Sequence, residues 1–295
     1  MQIVITGGSG LIGEALCSSL VKDDHEVIVV SRHPERATGL PPEACVQHWD
    51  ASLAGNADAI VNLAGENIAG GRWTGKRKER IRQSRIEVGQ ALTQAVASAR
   101  HRPEVIIQAS GVGYYGPSNN IVTEQTPPGH DFLARLAVEW EASTSEVEHL
   151  GVRRAIIRTG VVLSRKGGAL PRLLLPYRFF VGGPLGGGRQ WFPWIHMADE
   201  VAAIRFLIDN EAAQGPFNLT APNPVANHEF SRIAGRRLKR PTFATTPAFL
   251  LRLFFGEMAT VLLDGQRAVP QRLLELGYKF RFTEVDSALQ DLLCS

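Results

Sequence analysis

Ile3-Val4-Ile5-Thr6-Gly7-Gly8-Ser9-Gly10-Leu11-Ile12-Gly13 is the stretch whose reading decides the fold. Three apolar, β-branched residues run into a turn with glycines at 7, 8, 10 and 13, and an apolar helical pattern starts at Leu11. Two spacings coexist, Gly8-x-Gly10-x-x-Gly13 and Thr6-Gly7-x-x-Gly10-x-x-Gly13. Glycine allows the tight turn, the close approach of backbone to a pyrophosphate and the close packing of helix on strand. Free N–H groups at the helix start, with the helix dipole behind them, attract phosphate. Glycine turns are common, so it is the placement between a strand and a helix that gives this one its meaning. Gly7, Gly10, Leu11, Ile12 and Gly13 are candidate dinucleotide-binding residues on that ground.

Working outward, Leu11 to Val21 reads as a helix and Glu26 to Val30 as a second apolar strand, followed by Ser31-Arg32-His33-Pro34. A fold that prefers NAD usually places an acidic side chain at this strand end, on the adenosine ribose hydroxyls. Here stand Ser31 and Arg32. A carboxylate repels a 2′-phosphate, whereas a guanidinium and a hydroxyl bind it with charge-assisted hydrogen bonds. NADP is therefore expected over NAD. The competing reading is an ordinary exposed arginine at a strand end.

Cys45 to Trp49 reads as a short third strand, with Asp50 toward the adenine side. Asp58 to Leu63 is a fourth, opening into Ala64-Gly65, where small residues let backbone pass close to a cofactor. Leu63, Ala64 and Gly65 join the candidate set. Residues 71 to 85 carry seven basic side chains against the single acid Glu79, a pattern usual for a solvated helix face. Arg85 differs: it heads the apolar repeat Ile86, Val88, Leu92, Val96, which places it toward the sheet and within reach of a cofactor phosphate. Val105 to Ala109 is a fifth strand, leading into Ser110-Gly111-Val112-Gly113-Tyr114-Tyr115-Gly116. Asp131 to Leu150 reads as one long helix and Gly151 to Arg158 as a sixth strand. Strands alternating with helices predict an α/β fold with a parallel, doubly wound sheet of Rossmann type.

Composition changes after Val162. Residues 165 to 194 combine three glycine clusters, four arginines and Trp191, Phe192 and Trp194. Glycine gives hinge freedom, and arginine with aromatic rings suits an anionic, ring-bearing ligand. The segment reads either as a substrate loop or as a long loop packed on its own aromatics. His196 to Asn210 is then helical and Gly215 to Leu219 a further strand. The expected organisation is a dinucleotide-binding domain over 1–164, to which 195–220 returns, a substrate loop over 165–194, and a smaller C-terminal α/β lobe over 221–295.

The whole-chain properties exclude several classes. With 44% hydrophobic and 21% charged residues, 295 residues describe an ordinary globular protein. A net charge of +3 is too mild to imply nucleic acid. Cys17, Cys45 and Cys294 show no CxxC spacing, which suits a reducing compartment and gives no metal signal. No apolar run approaches the ~18 residues needed to span a bilayer. With a first strand at residue 2, no leader is expected within this numbering. A cytoplasmic location, a small-molecule substrate and no membrane partner are expected.

Thr6-Gly7-x-x-Gly10-x-x-Gly13, Asp58 to Gly65, Tyr115-Gly116 and Arg158-Thr159-Gly160 together make the chain resemble the extended short-chain dehydrogenase/reductase superfamily, the sugar-nucleotide epimerases and dehydratases. Within it the chain is similar to a small branch called simply the epimerase family protein, also named nucleoside-diphosphate-sugar epimerase or cell-division inhibitor. The carriers of that likeness are Asn62 to Ile68, Gly113-Tyr114-Tyr115, Trp140-Glu141, Arg158 to Leu163, Gly182-Gly183-Pro184, Trp194-Ile195-His196 and Gly265-Gln266-Arg267 with Pro270. The resemblance implies NADP(H) binding, with Ser31, Arg32, Leu63, Ala64 and Arg85 near the cofactor; Arg158 joins the cofactor-binding candidates, and a nucleotide sugar is among the candidate substrates.

One departure stands out. The superfamily's chemistry uses Tyr-x-x-x-Lys at the start of the helix after the fifth strand, where lysine lowers the phenol's pKa. Here one register pairs Phe132 with Leu136 and another pairs Asp131 with Arg135. The usual catalytic hydroxyl lies four residues before the Tyr-Gly pair; that count reaches Gly111, with Ser110 one place off. Ser110, Tyr114 and Tyr115 are the remaining candidates for polarising a reacting oxygen. A cofactor-binding protein without turnover is the rival expectation.

Overall fold

Seven strands rich in Val and Ile form one parallel sheet in the computed structural model, which describes residues 1–294. They are β1 (Gln2–Thr6), β2 (Glu26–Val30), β3 (Cys45–Gln47), β4 (Ala59–Asn62), β5 (Val105–Gly111), β6 (Arg153–Thr159) and β7 (Gly215–Leu219). Their spatial order is β7-β6-β5-β4-β1-β2-β3. The chain runs outward from β1 in one direction, then restarts at β4 and runs outward in the other. That reversal opens a crevice at the carboxyl ends of β1 and β4, where ligands of such sheets bind. The glycine turn sits at its centre.

The main helices are α1 (Leu11–Val21), α2 (Gly75–Ser98), α3 (Phe132–Ala142), α4 (Leu170–Arg178), α5 (Met197–Asp209), α6 (Asn227–Leu238), α7 (Ala248–Phe255) and α8 (Val285–Cys294). Alternation along the strands sends Ile3, Ile5, Val61 and Ile107 toward Leu16, Leu20, Ile204 and Leu207 of α1 and α5. Val4, Ile60 and Ile106 point the other way, against Leu92, Ala95 and Val96 of α2. Covering both faces explains why these strands are almost wholly apolar. A second core gathers Leu163, Leu174, Trp194, Phe230, Phe282 and Leu289 from α4, α6, α8 and neighbouring strands. The Asp199 carboxylate joins the two, accepting hydrogen bonds from the backbone N–H of Arg281 at 2.7 Å and Phe282 at 2.9 Å.

The first two strands, the first helix and β7 fall where the sequence places them. The single helix expected over Asp131 to Leu150 is broken. It ends at Ala142 and resumes as one turn, Glu146–His149. Ser143 and Ser145 turn their hydroxyls back onto the carbonyls of Trp140 and Ala142, which offers the backbone an alternative to the helix. Within 165–194 a nine-residue helix, α4, stands where the sequence suggests only loop. Pro171 fits its first turn, where no N–H partner is needed, and Pro176 near its end hid the pattern. The pairing of strand Ser118–Val122 with Gln266–Ala268 carries no local signal, being set by residues far apart in the chain.

Candidate functional site

Gly7 takes φ +70°, and a Cβ there would lie 2.6 Å from the Leu63 carbonyl oxygen. A Cβ on Gly13 would lie 2.5 Å from Gly8 Cα and 2.7 Å from the Gly7 oxygen. These are backbone atoms that cannot swing aside, so β1, the β4 exit and α1 meet at contact distances only glycine permits. The Gly10 N–H donates to the Gly7 oxygen at 3.0 Å and Gly10 caps α1, leaving Leu11 and Ile12 as its first residues. Gly7, Gly10, Leu11, Ile12, Gly13, Leu63 and Ala64 therefore share one end of the crevice.

Beneath the turn runs a polar row, Thr6, Asn62 and Gln108, whose pairing no local pattern announces. Thr6 Oγ1 donates to Asn62 Oδ1 at 2.6 Å, Asn62 Nδ2 to Gln108 Oε1 at 2.9 Å, and Gln108 Nε2 to the Ala109 oxygen at 2.7 Å. All three side chains are buried. They lock the carboxyl ends of β1, β4 and β5 together. A polar residue inside or ending an otherwise apolar strand was the available signal.

At the end of β2, Ser31 Oγ accepts from the His33 N–H at 3.1 Å. Arg32 is exposed, and its guanidinium makes no hydrogen bond or ion pair with any described residue. Asp50, by contrast, is turned onto the Ser52 N–H at 2.7 Å and caps a short helical turn. On the far side of the crevice Arg85 is buried against the Gly65 backbone and stacks on Trp140, 4.7 Å from the ring. A Cβ on Gly65 would lie 2.9 Å from its guanidinium carbon. Its Nη1 donates to the Ile81 oxygen, while the buried Nε has no partner. Burial lowers its pKa to about 10, opposed by Glu66. A buried cation with an unspent donor is a place for an anion. The other members of the basic run are mostly tied down: Arg77 and Arg80 hold Glu66, Lys78 holds Glu257 and Arg82 holds Glu139.

The candidate catalytic residues converge on Glu141 of α3. Its Oε1 accepts from Ser110 Oγ at 2.6 Å and from Arg158 Nε at 2.9 Å, and its Oε2 from Arg158 Nη2 at 2.9 Å. Arg158 Nη1 also donates to Tyr115 Oη at 3.1 Å, which in turn donates to Asn218 Oδ1 at 2.7 Å. Burial opposes the charge on Arg158, and the bidentate Glu141 carboxylate outweighs it and keeps the guanidinium protonated. Burial also pushes the Tyr115 hydroxyl up to about 12, against the lowering effect of Arg158. Ser110, Tyr115 and Arg158 thus spend their polar atoms on one another, on Glu141 and on Asn218. Tyr114 does not. Its ring lies under the Arg158 guanidinium, 3.4 Å from carbon to centroid, and its hydroxyl has no hydrogen-bond partner among the described residues. Glu141, Asn218 and Glu124, whose Oε1 accepts the Asn218 N–H, complete the group from outside the sequence-derived candidate set.

At the start of α3, Asp131 caps the helix through the Ala134 N–H, and the Phe132 ring meets Trp73 edge-on at 5.0 Å. Phe132–Ala142 contains no Tyr and no Lys. Among the described residues, no cluster of His, Cys, Asp or Glu is arranged to hold a metal ion. No described helix is long and apolar enough to cross a membrane.

One carboxylate beside the site gives a pH prediction. Glu200 is fully buried, accepts from Thr159 Oγ1 at 2.8 Å, and leaves Oε2 without a partner. Burial pushes its pKa from 4.5 up to about 8, opposed by the Thr159 hydroxyl. The folded state thus binds a proton that the unfolded chain releases near 4.5. Its stabilising effect is full below that value and is lost as pH climbs through about 8. Glu200→Gln keeps the shape without titrating. Its stability relative to the parent should rise with pH across this window, by at most about 1.4 kcal/mol per unit. Urea unfolding at pH 5 and 8 reads this directly; a pH-independent difference refutes it.

Comparison with known proteins places these features in a family. Residues 3–220 match the model of the NAD dependent epimerase/dehydratase family, and the chain belongs to that family. Residues 246–292 match a domain of unknown function, DUF1731. An epimerase family protein of Staphylococcus aureus (strain MRSA252) is 37% identical over 299 residues, covering 99% of each chain. The crystal structure of human epimerase family protein SDR39U1 (isoform 2) with NADPH superposes with TM-score 0.90 at 36% identity, over 100% of both chains. A nucleoside-diphosphate sugar epimerase from Corynebacterium glutamicum gives TM-score 0.80 at 33% identity, covering 99% of this chain and 58% of that one.

Proposed function

We propose that this chain binds NADP(H) and acts as an oxidoreductase or epimerase-like enzyme on a polar, carbonyl-bearing substrate, with a nucleotide sugar as one candidate. The observation that carries the cofactor choice is Arg32, an exposed and unpaired guanidinium beside Ser31 at the end of β2, where no carboxylate stands. The residues present fit the dinucleotide. The glycine turn brings β1, the β4 exit and α1 closer together than a Cβ at Gly7 or Gly13 would allow, Gly10 caps the start of α1 at that turn, and Arg85 offers a buried donor without a partner. Gly7 to Gly13 and Arg85 would hold the pyrophosphate, Ser31 and Arg32 the 2′-phosphate, and Leu63 to Gly65 the ribose side. The NADPH bound to the human relative is in keeping with this choice.

When bound, a nicotinamide supplies a hydride donor or acceptor. This chain's residues supply the proton. Tyr114 carries the free phenol, and its hydroxyl is the group able to donate to a reacting oxygen. Arg158, fixed by Glu141, holds the Tyr114 ring from its face. Ser110 and Tyr115 act through this scaffold. Arg32→Ala should weaken NADPH binding by about 1–3 kcal/mol and leave NADH binding nearly unchanged. Equal losses for both cofactors, measured by calorimetry, sink the 2′-phosphate assignment.

Phe132 on Trp73, in a helix start without Tyr or Lys, favours a second reading: a cofactor-binding sensor or scaffold without turnover. Tyr114→Phe separates the two. An enzyme of the first kind should lose on the order of 100-fold or more in kcat with NADPH affinity retained. NADPH oxidation at background across a panel of sugar nucleotides and carbonyl compounds, in parent and variant alike, points to the second.

A further inference from the structure

Between Val161 and Ala198, and again between Phe230 and Gly256, the chain has no Asp or Glu, yet these two stretches hold eleven of its lysines and arginines. With a whole-chain charge of only +3, the rest of the molecule is net acidic. The same two stretches supply nine of the thirteen large hydrophobic side chains exposed among the described residues. Charge and exposed apolar area are thus concentrated together in these two stretches.

The stretches also lie side by side. The Ala244 N–H donates to the Gly182 oxygen at 3.2 Å, Gly186 N–H to Thr246 O at 2.8 Å, and Thr246 N–H to Pro184 O at 3.0 Å. Arg240 stacks over Phe180 at 4.2 Å. This ladder sets Phe179, Phe180 and Val181 next to Phe243 and the start of α7. Within α7 only Leu251 is buried; Phe249, Leu253 and Phe254 are exposed, the two phenylalanines at 67% and 68%. Beside them Arg178 and Lys239 make no ion pair with a described residue, and Arg240 has only its ring contact. Arg236 and Arg237, by contrast, share the single Asp286 carboxylate, which offsets one of their two charges.

We propose that this acid-free, phenylalanine-rich face of the C-terminal lobe docks on an anionic lipid bilayer. Exposed phenylalanine and leucine rimmed by unpaired lysine and arginine is the composition of an interfacial contact: rings enter the acyl boundary while the cations meet headgroup phosphates. Nine exposed large hydrophobic side chains gathered in two adjoining stretches differ from the singly scattered apolar residues of an ordinary surface. Charge argues against a second copy as the occupant, because a two-fold contact would set the same cations face to face. The contact lies on the membrane surface and needs no spanning helix.

The test is flotation of the full chain with vesicles of phosphatidylcholine alone and of phosphatidylcholine with roughly a third phosphatidylglycerol, at low and high salt. The chain should float with the anionic vesicles at low salt, be released by salt, and stay behind with phosphatidylcholine alone. Phe249→Ser with Phe254→Ser, and separately Lys239→Glu with Arg240→Glu, should each cost at least about tenfold in partitioning while leaving Tm unchanged. Hydrogen exchange on the unmodified chain gives a readout independent of variant folding: anionic vesicles should protect residues 243–255. No flotation at low salt, flotation that both variants keep, or exchange unchanged over 243–255 overturns the proposal. A parent dimer that the phenylalanine variant dissolves into monomers also overturns it and assigns the face to a second copy.

Discussion

Gly13→Val is expected to abolish NADPH binding, with a loss of at least about 100-fold, or about 2.7 kcal/mol. The valine Cβ would stand 2.5 Å from Gly8 Cα and 2.6 Å from the Gly8 oxygen, and both belong to the turn itself. Relief requires α1 to move off β1, and that movement withdraws the first helical N–H groups from the place where they face a pyrophosphate. Overpacking of this kind also costs about 1–3 kcal/mol of stability, so affinity is to be measured by calorimetry below the variant's Tm. Gly187→Ala is the control, since a Cβ there meets nothing within 4 Å. If Gly13→Val binds NADPH as tightly as this control, the turn is not the cofactor cradle.

The second large effect is on stability. Arg158→Met should destabilise the fold by about 3–5 kcal/mol, because it leaves the buried Glu141 carboxylate without its bidentate partner. Pairing it with Glu141→Leu removes the stranded charge and should recover much of the loss, although Ser110 Oγ then loses its acceptor. Denaturant curves for the two singles and the double form a cycle that isolates the pair. The same variants define the role of Arg158. A folded Arg158→Met protein that binds NADPH within a few-fold of the parent identifies a residue acting through Tyr114, Tyr115 and Glu141. A selective loss of affinity instead returns it to the cofactor site.

The sheet was legible because its determinants are local. Ile3 to Gly13 specify a strand, a turn and a helix within eleven residues, and the runs before Ser31, Leu63 and Ser110 repeat the apolar pattern of a strand covered on both faces. The exposure of Arg32 was legible for a similar reason: its environment is the strand end itself. The Glu141 network was not. Ser110, Glu141, Arg158 and Asn218 lie on β5, α3, β6 and β7, and only the tertiary fold shows that their polar atoms satisfy one another. Sequence spacing suggested Ser110 and Tyr115 as free reactive groups, but a hydroxyl's availability depends on partners that may be a hundred residues away. The α4 helix was hidden by Pro171 and Pro176, and the break in α3 by serines whose hydroxyls compete for helical carbonyls.

The seam between Ser118–Val122 and Gln266–Ala268 bears on how this chain comes to be folded during synthesis. Asn218 Nδ2 donates to Val269 O at 2.9 Å, Thr220 Oγ1 to Ala268 O at 3.3 Å, and Tyr278 Oη to Asp199 O at 3.0 Å. Leu273 and Tyr278 are buried in the core of the central sheet itself. The core of the family-matched stretch ending at residue 220 is therefore completed by residues beyond it. A nascent chain that has just released β7 still has an open edge on that core, and must wait roughly 4–15 s for the remaining residues at ordinary elongation rates. During that interval the ribosome carries a dinucleotide fold whose first strands are complete and whose last wall has not yet been made.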